Sequence, residues 1–323
     1  MPAPLDPHML WNGLGWPLIR LTFFISLGLM VGNFIESLNW TRSVAKLAEP
    51  LIRTARLKDI SGASFSLAFF SGVAANTMLA EAYERGELNR RELVFSNLFN
   101  SLPTYFLHLP TVFFITAPFI AEAAFAYVGL TAFAALLRTA FIVLLGRVML
   151  PPLPEGCVVC LLGDEEQPAN RWRTALKKTW QRFKKRLPKI MYITAPIYAG
   201  FFLLKQYGAI DWIEGFMAEH VSLLAWLEPQ ALSIVAFHMV GEFTAGLAAA
   251  GALISDGGLS TQQIVIALLA GNVLSSPMRA MRHQFPYYAG IFPAGMALRL
   301  IVYNQTLRVL SVMLVAVGYA VFS

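Results

Sequence analysis

Of the chain's 323 residues, 57% are hydrophobic and 14% charged, against roughly a quarter charged in soluble domains. That balance argues against a soluble enzyme and for a chain embedded in lipid. The formal net charge of +6 would suit a nucleic-acid partner, but its uneven distribution, taken up below, does not.

In chain order, the N-terminal Met1-Pro-Ala-Pro-Leu-Asp6 lacks the basic start of a signal peptide, so the first apolar run is expected to be retained. The first half reads as a spanning helix over 17–38, an amphipathic stretch over 43–57, an apolar hairpin over 60–83, a broken helix over 91–117 and a long last helix over 119–150. The long runs reach the ~20 apolar residues that a crossing requires. A linker over 151–189 follows, with Cys157 and Cys160 near its start. Two thiols at this spacing suit a redox pair or half of a zinc site, but a second pair is missing, and ordinary linker cysteines are the simpler reading. Further along the linker, nine Lys and Arg residues between Arg171 and Lys189 interleave with Trp172, Leu176, Trp180, Phe183 and Leu187 at helical spacing. A basic amphipathic helix over 170–187 of this kind is expected to lie against anionic lipid headgroups; a protein-docking helix is the competing reading. The second half repeats the order over 190–208, 211–227, 230–255, 262–290 and 294–322.

The two halves share more than order. Leu67-Ala-Phe-Phe-Ser-Gly-Val-Ala-Ala-Asn-Thr77 is followed by Gly86-Glu-Leu88 and a break near Leu102-Pro103. Ala236-Phe-His-Met-Val-Gly-Glu-Phe-Thr-Ala-Gly246 is followed by Gly257-Gly-Leu259 and a break near Ser276-Pro277. Gly86 and Gly257, like Leu88 and Leu259, stand 171 positions apart. Interrupted apolar segments at corresponding places in two halves point to a transporter's central site. The domains expected are a first repeat over 1–150, the linker over 151–189 and a second repeat over 190–323.

Charge decides how these segments thread the bilayer. If the hairpins dip in and return, one side receives 39–59, 84–92 and 151–189, which hold Arg42, Lys46, Arg53, Arg56, Lys58, Arg85, Arg90, Arg91 and the basic linker. The other side receives 1–12, 209–229 and 255–261, with six acidic residues and no Lys or Arg. Basic loops are cytoplasmic. If the hairpins crossed, basic segments would lie on both faces. The expected fold class is therefore all-α integral membrane, with two inverted repeats of three crossings and one re-entrant hairpin each. The chain is accordingly expected to be a multi-pass protein of the cell's inner (plasma) membrane, both termini outside and 151–189 cytoplasmic.

At these residues the chain resembles the gate, or nucleoside-recognition, superfamily, which includes spore-maturation membrane proteins, the membrane part of ferrous iron permeases and concentrative nucleoside transporters. Gly241-Glu-Phe-Thr-Ala245 is similar to the Asn-Glu-Phe-Val-Ala stretch of the nucleoside transporters' second hairpin, with Gly241 in place of Asn. The resemblance implies a substrate-binding role for Glu242, and for Asn272 and Ser275 in the following broken helix.

Glu242 is the one acidic residue expected near the bilayer midplane, where a carboxylate is costly and marks function, in ligand binding, proton exchange or cation coordination; a structural pair with Arg308 is the competing reading. His238, four residues earlier, shares its helical face, and the two form a candidate metal pair, with a hydrogen-bonded structural histidine as the simpler reading. Asn76, Thr77 and Thr244 at the hairpin turns join the expected substrate site. Arg279, Arg282 and His283 follow the second break, either as a cationic vestibule for an anionic substrate or as positive-inside anchors. Arg138 and Arg308 stand 170 positions apart and suggest structural ion pairs between repeats. No phosphate loop or nucleotide fingerprint occurs, so an enzyme is not expected. The expected function is a transporter of a small polar solute with a coupling proton or sodium ion, and a homo-oligomer is compatible with it. The alternatives are a divalent-metal permease and a non-transporting accessory membrane protein.

Overall fold

A computed structural model describes residues 6–37, 49–152, 171–207, 227–255 and 258–322, and for some of these, Glu242 and Arg282 among them, the backbone alone. Cys157, Cys160, Arg42, Lys46, Asp256 and the stretch 211–226 lie outside the described residues. All regular structure among the described residues is helical. Pro7–Leu10 leads through a π-helical turn, Trp11–Gly15, into α1 (Trp16–Ser37), and α2 (Glu49–Thr54) follows. Next come α3 (Asp59–Ala68), α4 (Gly72–Glu84), α5 (Arg90–Phe99), α6 (Ser101–Ile120) and α7 (Ala123–Met149). The second half contains α8 (Arg171–Gln206), α9 (Pro229–Ser255), α10 (Thr261–Leu274), α11 (Ser276–Arg279), a π-helical turn (Ala280–Gln284), α12 (Phe285–Ala289) and α13 (Ala294–Phe322).

Four stretches among the described residues are long and apolar enough to cross a membrane: Pro7–Val31, Arg90–Ile120, Ala123–Met149 and Ala294–Phe322. Their outward faces are apolar, with Phe125, Phe133, Leu144 and Val148 exposed on α7 and Leu310, Leu314, Val317 and Val321 on α13. Buried positions, in contrast, include Asn33, Asn76, Asn97, Asn100, Arg138 and Asn272. A greasy exterior around polar interior groups inverts the soluble pattern and suits a chain solvated by lipid. The protein is all-α and built for a membrane.

Two expectations need correction. The first apolar helix begins at Pro7, ten residues before 17–38, because Pro7 takes a first-turn position where its missing N–H costs nothing. The basic helix 170–187 and the spanning segment 190–208 are not separate: α8 runs unbroken through Pro188 and Pro196. Its 36 residues span about 54 Å, well beyond a ~30 Å hydrocarbon core. It packs along α1, with Trp172 against Phe34 and Thr22 donating to the Met191 sulfur.

Local chemistry explains the boundaries that shape the centre. Asn89 accepts from the backbone N–H of Glu92 while Glu92 accepts from that of Asn89, a capping box that starts α5. Ser260 and Gln263 do the same for α10, 171 positions later. Lys58, at the start of α3, bonds the Glu92 carboxylate at 3.0 Å and so ties the α3–α4 pair to α5. Asn100 interrupts α5 and α6, and Ser275 interrupts α10 and α11. Between α4 and α5, Gly86 adopts φ +73°, a left-handed conformation that disfavours a side chain.

Candidate functional site

Around these breaks lies a cavity of about 370 Å³ lined by α4, α5, α6, α7, α9, α10, α11, the π-helical turn after it, α12 and α13. Polar groups dominate one part of its wall: Asn76, Asn97, Asn100, Asn272, Asn304, Gln305, Tyr105, Tyr127 and Tyr288, with three arginines, Arg138, Arg279 and Arg308. Val112, Phe243 and Val312 supply an apolar part. Amid that lining the described residues include no carboxylate.

Asn272, in the last turn of α10, organises the second half of the site. Its Nδ2 donates to the buried Tyr127 hydroxyl at 2.9 Å. Its Oδ1 accepts from Arg279 and from Arg308, each at 3.2 Å, and its main-chain carbonyl accepts from Arg279 at 3.1 Å. Two guanidinium groups thus share one amide oxygen, which brings like charges together. Tyr127 also stacks on Phe243, with ring centroids 5.7 Å apart. Arg138, 8% exposed on α7, has an Nε with no hydrogen-bond partner among the described residues. Neither Arg138 nor Arg308 has an ion pair among the described carboxylates, so the structural ion pairs expected for these two are not found there.

The first half contributes a neutral network. Asn97 donates to Asn76 Oδ1 at 2.8 Å and to the Tyr288 hydroxyl at 3.2 Å. Asn76 in turn donates to the Tyr287 hydroxyl at 2.8 Å, and Tyr287 donates to the Gly72 carbonyl at 2.7 Å. Asn100 donates to Ser64 Oγ at 2.7 Å. These bonds join α4 and α5 to α12, across more than two hundred positions of sequence for the Asn76–Tyr287 pair.

Of the residues expected at the site, Asn76, Asn272 and Arg279 come together on the cavity. Thr77, Thr244 and Ser275 do not line it. The Thr77 hydroxyl bonds the Val73 carbonyl of its own helix, and Ser275 Oγ donates to the Asn272 carbonyl at 3.4 Å. Glu242 lies on α9 with its side chain outside the described atoms, so its approach to Asn272 is not described. His238 is fully buried but off the cavity wall, wedged where a Cβ on Gly246 or Gly271 would come within 2.9 Å of its atoms. Neither ring nitrogen has a partner among the described residues, and no group of three or more His, Cys, Asp or Glu gathers there.

Sequence reading missed Asn97, Asn100, Tyr105, Tyr127, Tyr288, Asn304 and Gln305. Two signals pointed toward them. Asn97 and Asn100 share a helical face just before the first break, and Asn304 and Arg308 share one on α13.

No family model matches the chain. It is similar along nearly its whole length to three uncharacterized proteins of Methanocaldococcus jannaschii. MJ0871 is 26% identical over 297 residues, covering 90% of each chain. MJ1556 is 24% identical over 298 residues, covering 91% of this chain and 90% of its own, and MJ0880 is 23% identical over 302, covering 91% and 94%. No solved structure matches.

Proposed function

We propose that this protein is a membrane transporter that carries a small polar solute through the central cavity. The observation behind the reading is the cavity itself, a 370 Å³ space lined by amides, hydroxyls and guanidinium groups inside a helical membrane protein. Volumes of about 300–1,000 Å³ suit small-molecule sites, and buried polar side chains at membrane depth mark substrate paths.

The architecture proposed is two inverted repeats. Capping boxes 171 positions apart, breaks at Asn100 and Ser275, and the long helices Ala123–Met149 and Ala294–Phe322 at matching offsets support it. The α3–α4 pair and α9 are read as re-entrant hairpins. For α9, eight residues of straight helix would separate His238 from Gly246 by about 12 Å, whereas a Cβ on Gly246 would lie 2.9 Å from the His238 Cβ. That close approach, within a stretch whose backbone is helical from Pro229 to Ser255, supports a fold-back between them. In this reading both termini face outward from a plasma membrane and 151–189 is cytoplasmic. The outward Trp172, Leu176 and Trp180 of α8, with Lys184 over the Trp180 ring, suit a contact with anionic headgroups. Glu242 is assigned to coupling, by proton exchange or sodium binding. A divalent-metal permease is less well supported, since three arginines oppose a cation in the cavity.

A thermal-shift screen of the purified chain against nucleosides, amino acids, organic anions and divalent metals, followed by proteoliposome uptake of the hits, tests transport. A stabilising solute should be accumulated, and filling the cavity with Ala135→Phe should abolish both effects. If no solute stabilises the protein and none is accumulated, the accessory role takes over. Single cysteines at Arg90 and Thr261, exposed counterparts beside the two capping boxes, should label from opposite sides. Labelling from one side would end the inverted-repeat reading. Glu242→Gln, which keeps shape but cannot titrate, should preserve binding and abolish coupled uptake.

A further inference from the structure

We infer that the solute is an organic oxyanion, one carrying a phosphate or carboxylate group, whose charged end sits on Arg138 and Arg308. The inference rests on the transport reading of the same cavity and narrows its substrate.

Three observations converge. Arg138 is almost fully buried, faces the cavity, and leaves its Nε without a hydrogen-bond partner among the described residues. Burying a guanidinium with an unsatisfied N–H is costly, and on the cavity wall its fork is a set of donors that an acceptor would satisfy. Arg308 faces the same cavity from α13, anchored through one nitrogen to Asn272 Oδ1, which leaves other donors of its fork to a ligand. Arg279 shares that oxygen, and neither Arg138 nor Arg308 has an ion pair among the described carboxylates. Clustered guanidinium groups inside a membrane protein are costly unless an anion joins them, and the planar donor fork of arginine matches a carboxylate or phosphate two bonds at a time.

The remaining wall fixes the size and character of the rest of the molecule. A bare inorganic anion would leave most of the 370 Å³ unfilled. Val112, Phe243 and Val312 offer an apolar surface, and Asn304 and the Tyr105 hydroxyl offer neutral hydrogen bonds. A solute with an anionic end and an organic body meets both surfaces. Asn272 holds Arg308 in place beside Arg279 through its amide oxygen.

The test uses the full chain in maltoside micelles, with citrate and glycerol 3-phosphate as probes, glycerol and ribose as neutral controls and chloride at matched ionic strength. The anions should raise the melting temperature in a concentration-dependent way, and the neutral controls should not. Arg138→Gln and Arg308→Gln should each weaken anion binding by about tenfold or more, the effect of losing a charge-assisted bond. Arg138→Lys should recover part of the loss by restoring charge without the fork. Should a Gln variant fail to fold, the comparison of anions with neutral solutes on the unaltered protein still decides. Adding phosphatidylglycerol separates two sources of the same chemistry: if it blocks the soluble anions, the phosphate bound is a lipid headgroup's, and the oxyanion assignment stands. Neutral solutes that stabilise as well as anions, or Arg variants that bind anions normally, overturn the inference while leaving the transport reading intact. Anion binding and uptake that survive Ala135→Phe remove the cavity from both.

Discussion

The contact between α3–α4 and α5 and the contact between α9 and α10 stand at matching places in the chain, yet they are made of opposite materials. In the first, Ser61 bonds Ser96 at 2.6 Å, Ser64 bonds Asn100 and Asn76 bonds Asn97. In the second, the residues 171 positions on are Leu232, Val235, Leu247, Ala267, Leu268 and Gly271, and the first five are at most 1% exposed. Lipid tails are as apolar as leucine, so apolar contact alone gives membrane helices little reason to associate; close packing and hydrogen bonds do. The first contact uses hydrogen bonds, and its amides continue into the cavity wall. The second uses close approach, with His238 pressed against Gly246 and Gly271. One contact is polar and continues into the cavity wall; the other is apolar and close-packed.

Exchanging residues between the contacts breaks this comparison most directly. Leu268→Asn imports the first half's amide into the dry second contact. It loses a fully buried side chain and strands a carboxamide without a partner, a combined cost of about 3–5 kcal/mol. A thermal melt of the variant should drop far more than that of any conservative change at the same site. Little change would mean that the second contact admits water or offers hidden acceptors, and the dry–polar contrast would be lost.

Steric change at the second contact comes next. A Cβ on Gly271 would lie 2.7 Å from His238 Nδ1, so Gly271→Ala must displace the imidazole and should cost about 1–3 kcal/mol. Combining it with His238→Ala should recover part of that loss, because the clash disappears with the ring. At the matching position Asn100→Ala removes only the bond to Ser64 and has no clash to relieve. Additive losses in the Gly271–His238 pair would show that the histidine is not what the glycine accommodates.

Much of this fold was legible before any coordinates. The stretch expected over 60–83 is occupied by two helices, Asp59–Ala68 and Gly72–Glu84, and the long helices expected over 119–150 and 294–322 are Ala123–Met149 and Ala294–Phe322. Glycines and leucines recurring at one offset carried that information, since turns and cores leave periodic marks. The site was half legible. Asn272 stood out through the resemblance to the nucleoside transporters and Arg279 through its place after the break at Pro277, but Tyr127, which completes the Asn272 cluster from 145 positions away, did not. Only tertiary packing brings such pairs together. Thr77 misled because a threonine in a helix can satisfy itself on the carbonyl four residues back. The continuity of α8 was hidden at Pro188, which stands between the two segments expected, 170–187 and 190–208, but such a proline is tolerated in a long membrane helix.

Within the first contact, Asn97→Leu copies the residue of the second half. Its Nδ2 no longer serves Asn76 Oδ1 and the Tyr288 hydroxyl, and the added apolar surface offsets part of that loss. Interhelical hydrogen bonds in membranes average about 0.6 kcal/mol and reach about 1.7, so a loss of about 1–2 kcal/mol is expected. The variant should also weaken solute binding, since Asn97 lines the cavity. Ligand-induced stabilisation measured beside the melt separates the two effects: equal binding would make the amide network purely a clamp between helices.

The smallest effect belongs to the loops that lead into α5 and α10. The loop before α5 is charged: Arg85 Nε donates to Glu87 at 2.7 Å, and this bond, with the guanidinium charge, holds the exposed Glu87 carboxyl below its usual range. A carboxyl lowered on folding contributes stability above its unfolded value, ~4.3, and that contribution fades as pH falls through the lower folded value. The cap of α10 offers no counterpart, because Ser260 and Gln263 do not titrate. Glu87→Gln should therefore melt slightly below the unaltered chain near neutral pH, with the gap closing under acid and in high salt, which screens exposed pairs. Gln263→Glu, which writes a titratable group into the second cap, should introduce an acid-sensitive gap there. If the Glu87 gap persists at low pH, the side chain acts through packing or shape, and charge does not distinguish the two loops.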